Sequence, residues 1–374
     1  MNKMKTYIKR IISVFLLLAI VFMFMSFTQI RFDHNNIRVS GFFMEEKDSL
    51  DVVLLGASEA YSGYSPVRAY QKEGITGYVV AVEDNPVKLY PSEIEEIRAY
   101  QKPQMIMIEI SSASSERKLK PNVFDATLRK YSDSVPVSMN KVDMVSKFGL
   151  EGDKISYFLP FVMYHGKMPG LDLVKEQFSL YKRGYTFTKG TVARTKTIEP
   201  DADIIDIQND DSASAPLDEI QESFTSLLDY CKTIKDSEVL FIRMPHRITN
   251  AKNYLKYQEG NYCIEQIEEY GFDCIDFEKL KTQLQLDPLE DFADNDHLNA
   301  SGHLKLTDYL SKELVSRYHV TANDLSEKSK TRWNESEKFM NRFYQHYDEK
   351  RKNGDDLFLY ENKDLVSFLQ QRMK

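Results

Sequence analysis

Short uninterrupted apolar runs alternate along this chain with longer stretches in which apolar residues recur at helical spacing. The runs Val52-Val53-Leu54-Leu55-Gly56, Tyr78-Val79-Val80-Ala81-Val82, 105–110, 239–242 and 274–277 read as strands covered on both faces. A half-solvated strand would alternate apolar with polar residues instead. Helices are predicted over 66–73, 92–101, 217–234, 254–270 and 301–318. Ser65-Pro66 supplies an N-cap followed by proline at the first helical position. Glu93 and Glu95 favour the start of the second helix through its dipole, and Pro103 stops it. Such alternation implies right-handed crossovers, a parallel sheet and a three-layer α/β/α domain.

Two regions leave this rhythm. Residues 115–215 mix Lys, Pro, Gly and aromatics and read as a long insertion of helices and loops, which either shapes a site or packs on the domain's flank. From Thr321 the chain becomes strongly charged around Trp333, Phe339 and Phe343, which predicts an amphipathic helix pair packed on the main domain; a tail that docks a partner is the alternative. The expected division is therefore 1–31, 32–320 and 321–374, without internal repeats.

At the N-terminus, Lys3, Lys5, Lys9 and Arg10 precede an uncharged run from Ile11 to Ile30. About twenty apolar residues at 1.5 Å each span a hydrocarbon core, so the run predicts a single-pass signal anchor. The cationic flank then lies in the cytoplasm and everything from Arg31 onward outside it. A cleaved signal peptide is the other reading, although the residues around 26–29 lack a good small-x-small cleavage pattern.

Composition narrows the classes. The 374 residues are 42% hydrophobic, enough for a sizeable core. A formal net charge of −8 without a basic aromatic patch argues against nucleic acid as a partner. Three cysteines, Cys231, Cys263 and Cys274, are too few for a disulfide framework, though Cys263 and Cys274 can either pair or remain thiols. No structural zinc spacing occurs, and no metal or organic cofactor is called for. A glycine-rich phosphate loop does not follow the first strand, which weighs against a nucleotide-binding module.

Two stretches carry candidate chemistry. Ser58 stands two residues beyond Gly56, where the first strand ends and where parallel sheets bind ligands. Far downstream, Asp294-Asn295-Asp296-His297 lies between the last strand and the last helix. A serine hydroxyl becomes a useful nucleophile when an imidazole takes its proton and a carboxylate fixes the imidazole tautomer. Alone, each is ordinary: a turn serine, and a surface histidine beside carboxylates.

Together they resemble the SGNH (GDSL-like) hydrolases, which carry Gly-x-Ser after the first strand and Asp-x-x-His before the last helix. The match extends to Leu298-Asn299, Gly302, Lys305-Leu306-Thr307 and Pro103, in scattered blocks over about two-thirds of the chain. This resemblance implies a flavodoxin-like sheet, nucleophilic Ser58, base His297 and orienting Asp294. The family's Gly-x-Asn-Asp block is replaced here by Glu109-Ile110-Ser111-Ser112, and its glycine after the second strand by Glu83-Asp84-Asn85-Pro86. Asn85 is then the candidate oxyanion donor, with the Ser58 backbone N–H; a turn residue before proline is its bland reading. The pattern looks nearer to the membrane-anchored SGNH-like proteins of Gram-positive bacteria, which include the D-alanyl transfer protein of teichoic acid modification.

The resemblance thus implies an extracellular esterase or O-acyltransferase acting on acylated envelope polysaccharide or teichoic acid, with an acyl donor and a membrane protein as possible partners. Its rival is an inactive relative that binds envelope glycan or a membrane partner. Arg243, His246 and Arg247, around Pro245 at the end of the fourth strand, are candidates for an anionic group of the polymer. Glu109 is a candidate for a substrate hydroxyl. Tyr164-His165 either lines a lid or packs as an aromatic pair.

Overall fold

The computed structural model describes residues 2–29, 34–114, 121–164, 171–199, 203–207, 209–355 and 358–359. Five parallel strands form the main sheet: β1 (Val52–Gly56), β2 (Gly77–Ala81), β3 (Met105–Glu109), β5 (Glu238–Arg243) and β6 (Asp273–Asp276), in the order β2-β1-β3-β5-β6. This is the flavodoxin-like arrangement, in which the order reverses between β1 and β3 and opens a crevice beyond their carboxyl ends. A separate antiparallel pair joins β4 (Ala193–Arg194) to β7 (Phe358–Leu359).

The helices are α1 (Asn2–Gln29), α2 (His34–Phe42), α3 (Ser58–Gly63), α4 (Pro66–Glu73), α5 (Tyr90–Tyr100), α6 (Pro121–Ser132), α7 (Met139–Phe148), α8 (Pro160–Tyr164), α9 (Leu171–Arg183), α10 (Asp218–Thr233), α11 (Ala251–Glu269), α12 (Ala300–Ser316) and α13 (Glu327–Lys352). Strand pleating divides the core. Val53, Leu55, Tyr78, Val80, Ile106, Ile108 and Phe241 face one apolar layer with Ile94, Ile97, Leu227 and Leu228 of α5 and α10. Val52, Leu54, Val79, Met107, Leu240 and Ile242 face the other with Leu306, Leu310 and Leu314 of α12. The three-layer α/β/α fold follows, because every strand has an apolar set to bury on each side.

All five predicted strands form, each shifted by at most a residue or so at its ends. Ser65 caps α4 by accepting from the Arg68 N–H at 3.4 Å. The polar stretch before β1, by contrast, forms α2, with Asn35, Asn36 and Arg38 buried. Its packing on the sheet overrides a weakly helical sequence; Arg38 donates to Ala81 O at 3.0 Å and Asn35 accepts from Arg38. Beyond Thr321 the described residues hold one long helix, α13, instead of the expected pair, and Trp333, Phe339, Met340 and Phe343 bury its apolar stripe. Residues 360–374 lie outside the described ones.

Within the 115–215 interval, the segment 189–194 runs along the open edge of β2 and back to the sheet's carboxyl end. Val79 donates to Lys189 O at 3.0 Å, Val192 to Tyr61 O at 2.9 Å and Thr191 Oγ1 to Tyr64 O at 2.9 Å. Gly190, at φ +89°, has room only for hydrogen: a Cβ there would lie 2.1 Å from Val79 O. Lys189 is fully buried against Glu45 at 2.8 Å and over the Trp333 ring, tying the insertion to α13. Tyr164 donates to Asp133 at 2.6 Å, and His165 lies outside the described residues. All three cysteines are free thiols. Among the described residues no helix is long and apolar enough to cross a membrane; the side chains of 22–29, within the expected anchor, are outside that description.

Candidate active site

Gly56 ends β1 because nothing larger fits: a Cβ there would meet Ala60 Cβ at 2.6 Å and Glu109 Cβ at 2.7 Å. After the extended Ala57 the chain turns into α3, leaving Ser58 half-buried at the sheet's carboxyl edge. Ser58 lines a cavity of about 240 Å³ with Tyr61, Ser62, Glu83, Asp84, Arg194 and His297. Its hydroxyl donates to Glu59 Oε2 at 3.0 Å.

His297 arrives from the opposite end of the sequence on a closed loop. The Phe292–Leu298 bridge and the Ala293 N–H to His297 O bond at 2.9 Å pinch its base. Asp294 Oδ1 accepts the N–H groups of Asp296 and His297, both at 3.0 Å, and the His297 Nδ1–H at 2.7 Å. That bond selects the tautomer in which Nε2 is the free base. Nε2 is buried and has no hydrogen-bond partner among the described residues. Burial alone would raise the Asp294 carboxyl, but the His297 hydrogen bond and charge, with Arg194 at 3.1 Å, hold it at about 2. Burial pulls the imidazole down, while Asp294 outweighs it, so His297 holds its proton above the ordinary value of 6.5.

The remaining motif residues brace this loop. Asn299 caps α12, accepting from Ser301 and Gly302 N–H, and its amide donates to Phe292 O and Glu290 O. A Cβ on Gly302 would lie 2.2 Å from Asp291 O. Asp291 receives Lys305 at 2.6 Å and Ser301 at 2.7 Å, and Thr307 Oγ1 accepts the Ser65 N–H at 2.9 Å.

Other sequence candidates take different roles. Asn85 is fully buried outside the cavity, its amide donating to Gly56 O at 3.2 Å and to Glu93 at 2.8 Å, so neither N–H is left for an oxyanion. Glu109 is buried behind Gly56 and receives the Ser111 N–H, which removes it from substrate contact. Arg243 is spent on Asp276, Asn261 and the Tyr257 carbonyl. Arg247 is 2% exposed and holds the His297 loop instead of an anion: its N–H donates to Asn295 O at 2.8 Å and its Nη1 to Asn295 Oδ1 at 2.9 Å. His246, its side chain 19% exposed, lines a smaller cavity and is paired with Glu278.

Sequence reasoning missed Glu59 and Arg194. Glu59 adjoins Ser58 and was within reach of a reading that asked what holds the hydroxyl. Arg194 sits in the insertion, and long-range contacts such as the β4–β7 pair and the 189–192 hydrogen bonds bring it to Asp294. Among the described residues no group of three or more His, Cys, Asp or Glu is placed to hold a metal ion.

No family model and no curated protein matches this chain. Among solved structures it is similar to a gut microbial diltiazem-metabolizing enzyme, at 12% identity and a TM-score of 0.36, over 72% of this chain and 47% of that one. The chain thus spans about half the length of that enzyme, and so loose a superposition carries no argument about activity.

Proposed function

We propose that this chain is a serine esterase or O-acyltransferase in which Ser58 attacks, His297 moves the proton and Asp294 orients the ring. The observation that carries the reading is the Nε2 of His297, without a hydrogen-bond partner among the described residues, on a side chain lining the same cavity as Ser58. Ser58 Oγ rotates from Glu59 towards that nitrogen and bonds the ester carbonyl carbon, while its proton passes to Nε2. The tetrahedral intermediate expels the alcohol, which leaves with that proton. In the second half, an acceptor hydroxyl gives its proton to Nε2 and attacks the acyl carbon, and Ser58 departs with the proton. Apo active sites commonly hold such hydrogen bonds apart until substrate arrives, which accommodates the Ser58–Glu59 bond. The Ser58 N–H is the candidate oxyanion donor that remains beside Asn85's occupied amide, and Arg194 adds positive charge to the same lining.

Cell-envelope esters as substrates come from the motif resemblance alone. An anchored location draws on α1, where Ile11, Phe15, Leu16 and Leu17 are all more than half exposed. Carbonate extraction of the full chain, compared with one lacking residues 1–31, tests it: release of the full chain by carbonate overturns the anchor.

Catalysis is tested by fluorophosphonate labelling of residues 32–374, read by intact mass. Labelling is expected in the parent, absent in Ser58→Ala and sharply reduced in His297→Ala. No adduct on folded protein overturns the reading in favour of a glycan-binding cleft, which the Ser58–Glu59 bond would suit and whose affinity would survive Ser58→Ala.

A further inference from the structure

Beside the Ser58 cavity lies a second, smaller one of about 30 Å³, lined by Glu59, Ser111, His246, Lys256, Glu278 and Asp296 among others. That is room for at least one water molecule. His246 repeats the chemistry of His297: Nδ1–H donates to Glu278 Oε1 at 2.7 Å, and the His246 backbone N–H reaches the same oxygen at 3.1 Å. With Nδ1 taken, Nε2 is the nitrogen left for a ligand. Glu278 is 2% exposed and also receives Lys281, so the carboxylate is fixed from two sides.

Three observations tie this second pair to the first. Glu59 lines the small cavity while its Oε2 receives the Ser58 hydroxyl. Both imidazoles feel the charges of Glu59 and Asp296. The backbone joins them directly, since Arg247, the next residue, donates its N–H to Asn295 O in the His297 loop.

We propose that this cavity is the acceptor subsite of the reaction proposed above, and that His246, held by Glu278, positions the hydroxyl oxygen that attacks the acyl-serine. The neutral ring accepts the hydroxyl proton in a hydrogen bond and keeps the oxygen beside the acyl carbon. As that oxygen bonds the carbon and the bond to Ser58 Oγ breaks, the proton travels through His297 Nε2 to Oγ, so His246 ends the cycle as it began. It is a positioning residue for deacylation. The cavity has room for either water or the primary alcohol of a polyol, and the two give hydrolysis or transfer respectively.

The inference rests on the serine mechanism, and the experiment separates the two. With p-nitrophenyl acetate, the nitrophenol burst reports acylation and the steady state reports deacylation. His246→Gln is expected to leave the burst rate within about twofold of the parent while steady turnover falls about tenfold, the size of one lost hydrogen bond. Adding methyl glucoside identifies the acceptor: an acetylated glucoside that declines with His246→Gln marks a polyol site, and unchanged acetate release marks water. Equal loss in both phases, or in neither, overturns the positioning role. Glu278→Gln, which keeps the bond to Nδ1 but not the charge, guards against misfolding and is expected to slow the steady state alone. If the parent shows neither burst nor label, the serine reading fails by itself. The subsite is then judged by saturation-transfer NMR of methyl glucoside with the parent and with His246→Gln: a signal that His246→Gln removes supports it, and no signal in the parent overturns it.

Discussion

The two imidazole–carboxylate pairs of this protein share one hydrogen-bond arrangement, an Nδ1–H on a carboxylate, by different construction. Asp294 and His297 are three residues apart, and a pinched loop supplies their geometry locally. His246 and Glu278 come from the ends of neighbouring strands β5 and β6, and the parallel register that sets Arg243 against Asp276 brings them together. The first carboxylate is 39% exposed and shared with Arg194; the second is 2% exposed and shared with Lys281. The first pair lines a cavity of about 240 Å³, the second a smaller one of about 30 Å³.

The largest expected effect asks whether the pairs differ in kind. His297→Ala should lower acylation by about 10⁴-fold or more, as removal of a catalytic base does elsewhere. Asp294→Asn should cost about 10² to 10⁴ by destabilising the productive tautomer. His246→Gln should leave acylation nearly untouched. Burst kinetics on the three variants decides it: if His246→Gln acylates as poorly as His297→Ala, the contrast between the pairs is gone.

A second variant attacks the nucleophile's mounting. Gly56→Ala forces a methyl against Ala60 Cβ of α3 and Glu109 Cβ of β3, both fully buried, and should cost about 1–3 kcal/mol of stability through overpacking. Ser58 would shift with it. Urea unfolding measures the first effect and labelling the second; unchanged values in both would show that the β1 end is looser than its packing implies.

What was legible beforehand follows the same division between local and register-built features. Every strand of the main sheet and the Gly-Ser and Asp-x-x-His motifs were visible, because a buried parallel strand is an uninterrupted apolar run and the loop motif is contiguous. The helix α2 was not, since its buried Asn35, Asn36 and Arg38 look like a solvated stretch until the sheet supplies their partners. Asn85, Glu109, Arg243 and Arg247 stood as candidates because a polar residue at a strand's end reads alike whether it faces a ligand or a buried neighbour; in the fold Glu93, Ser111, Asp276 and Asn295 are their partners. Arg194 was invisible because its position depends on the 189–194 segment docking along β2.

The pH dependence sharpens the comparison next. His297 must be neutral to accept a proton, and Asp294 keeps its pKa above 6.5, so acylation should rise with pH along a limb centred above that value. The pair's contribution to stability runs the other way: it is complete when the ring is protonated, below about 6.5, and fades as pH climbs through the raised folded value. Asp294→Asn should move the activity limb down and flatten the stability trend over the same interval. A limb that stays where it was would mean that another group controls acylation.

The smallest effect belongs to Arg194, and it tests whether the insertion contributes to catalysis or only covers the site. Arg194 holds Asp294 Oδ2 at 3.1 Å, on the side of the carboxylate away from the imidazole. Replacing it by Gln removes a cation from a partly exposed carboxylate, where solvent screens much of the charge. Asp294 should then rise from about 2 while remaining ionised at neutral pH. The His297 ring, now near a less compensated negative charge, should keep its proton to slightly higher pH. Activity at pH 7 should fall less than about tenfold and recover at pH 9, since only the protonation of the base has changed. A loss that persists at pH 9 would instead mean that Arg194 acts on the developing oxyanion, placing the insertion in the chemistry itself.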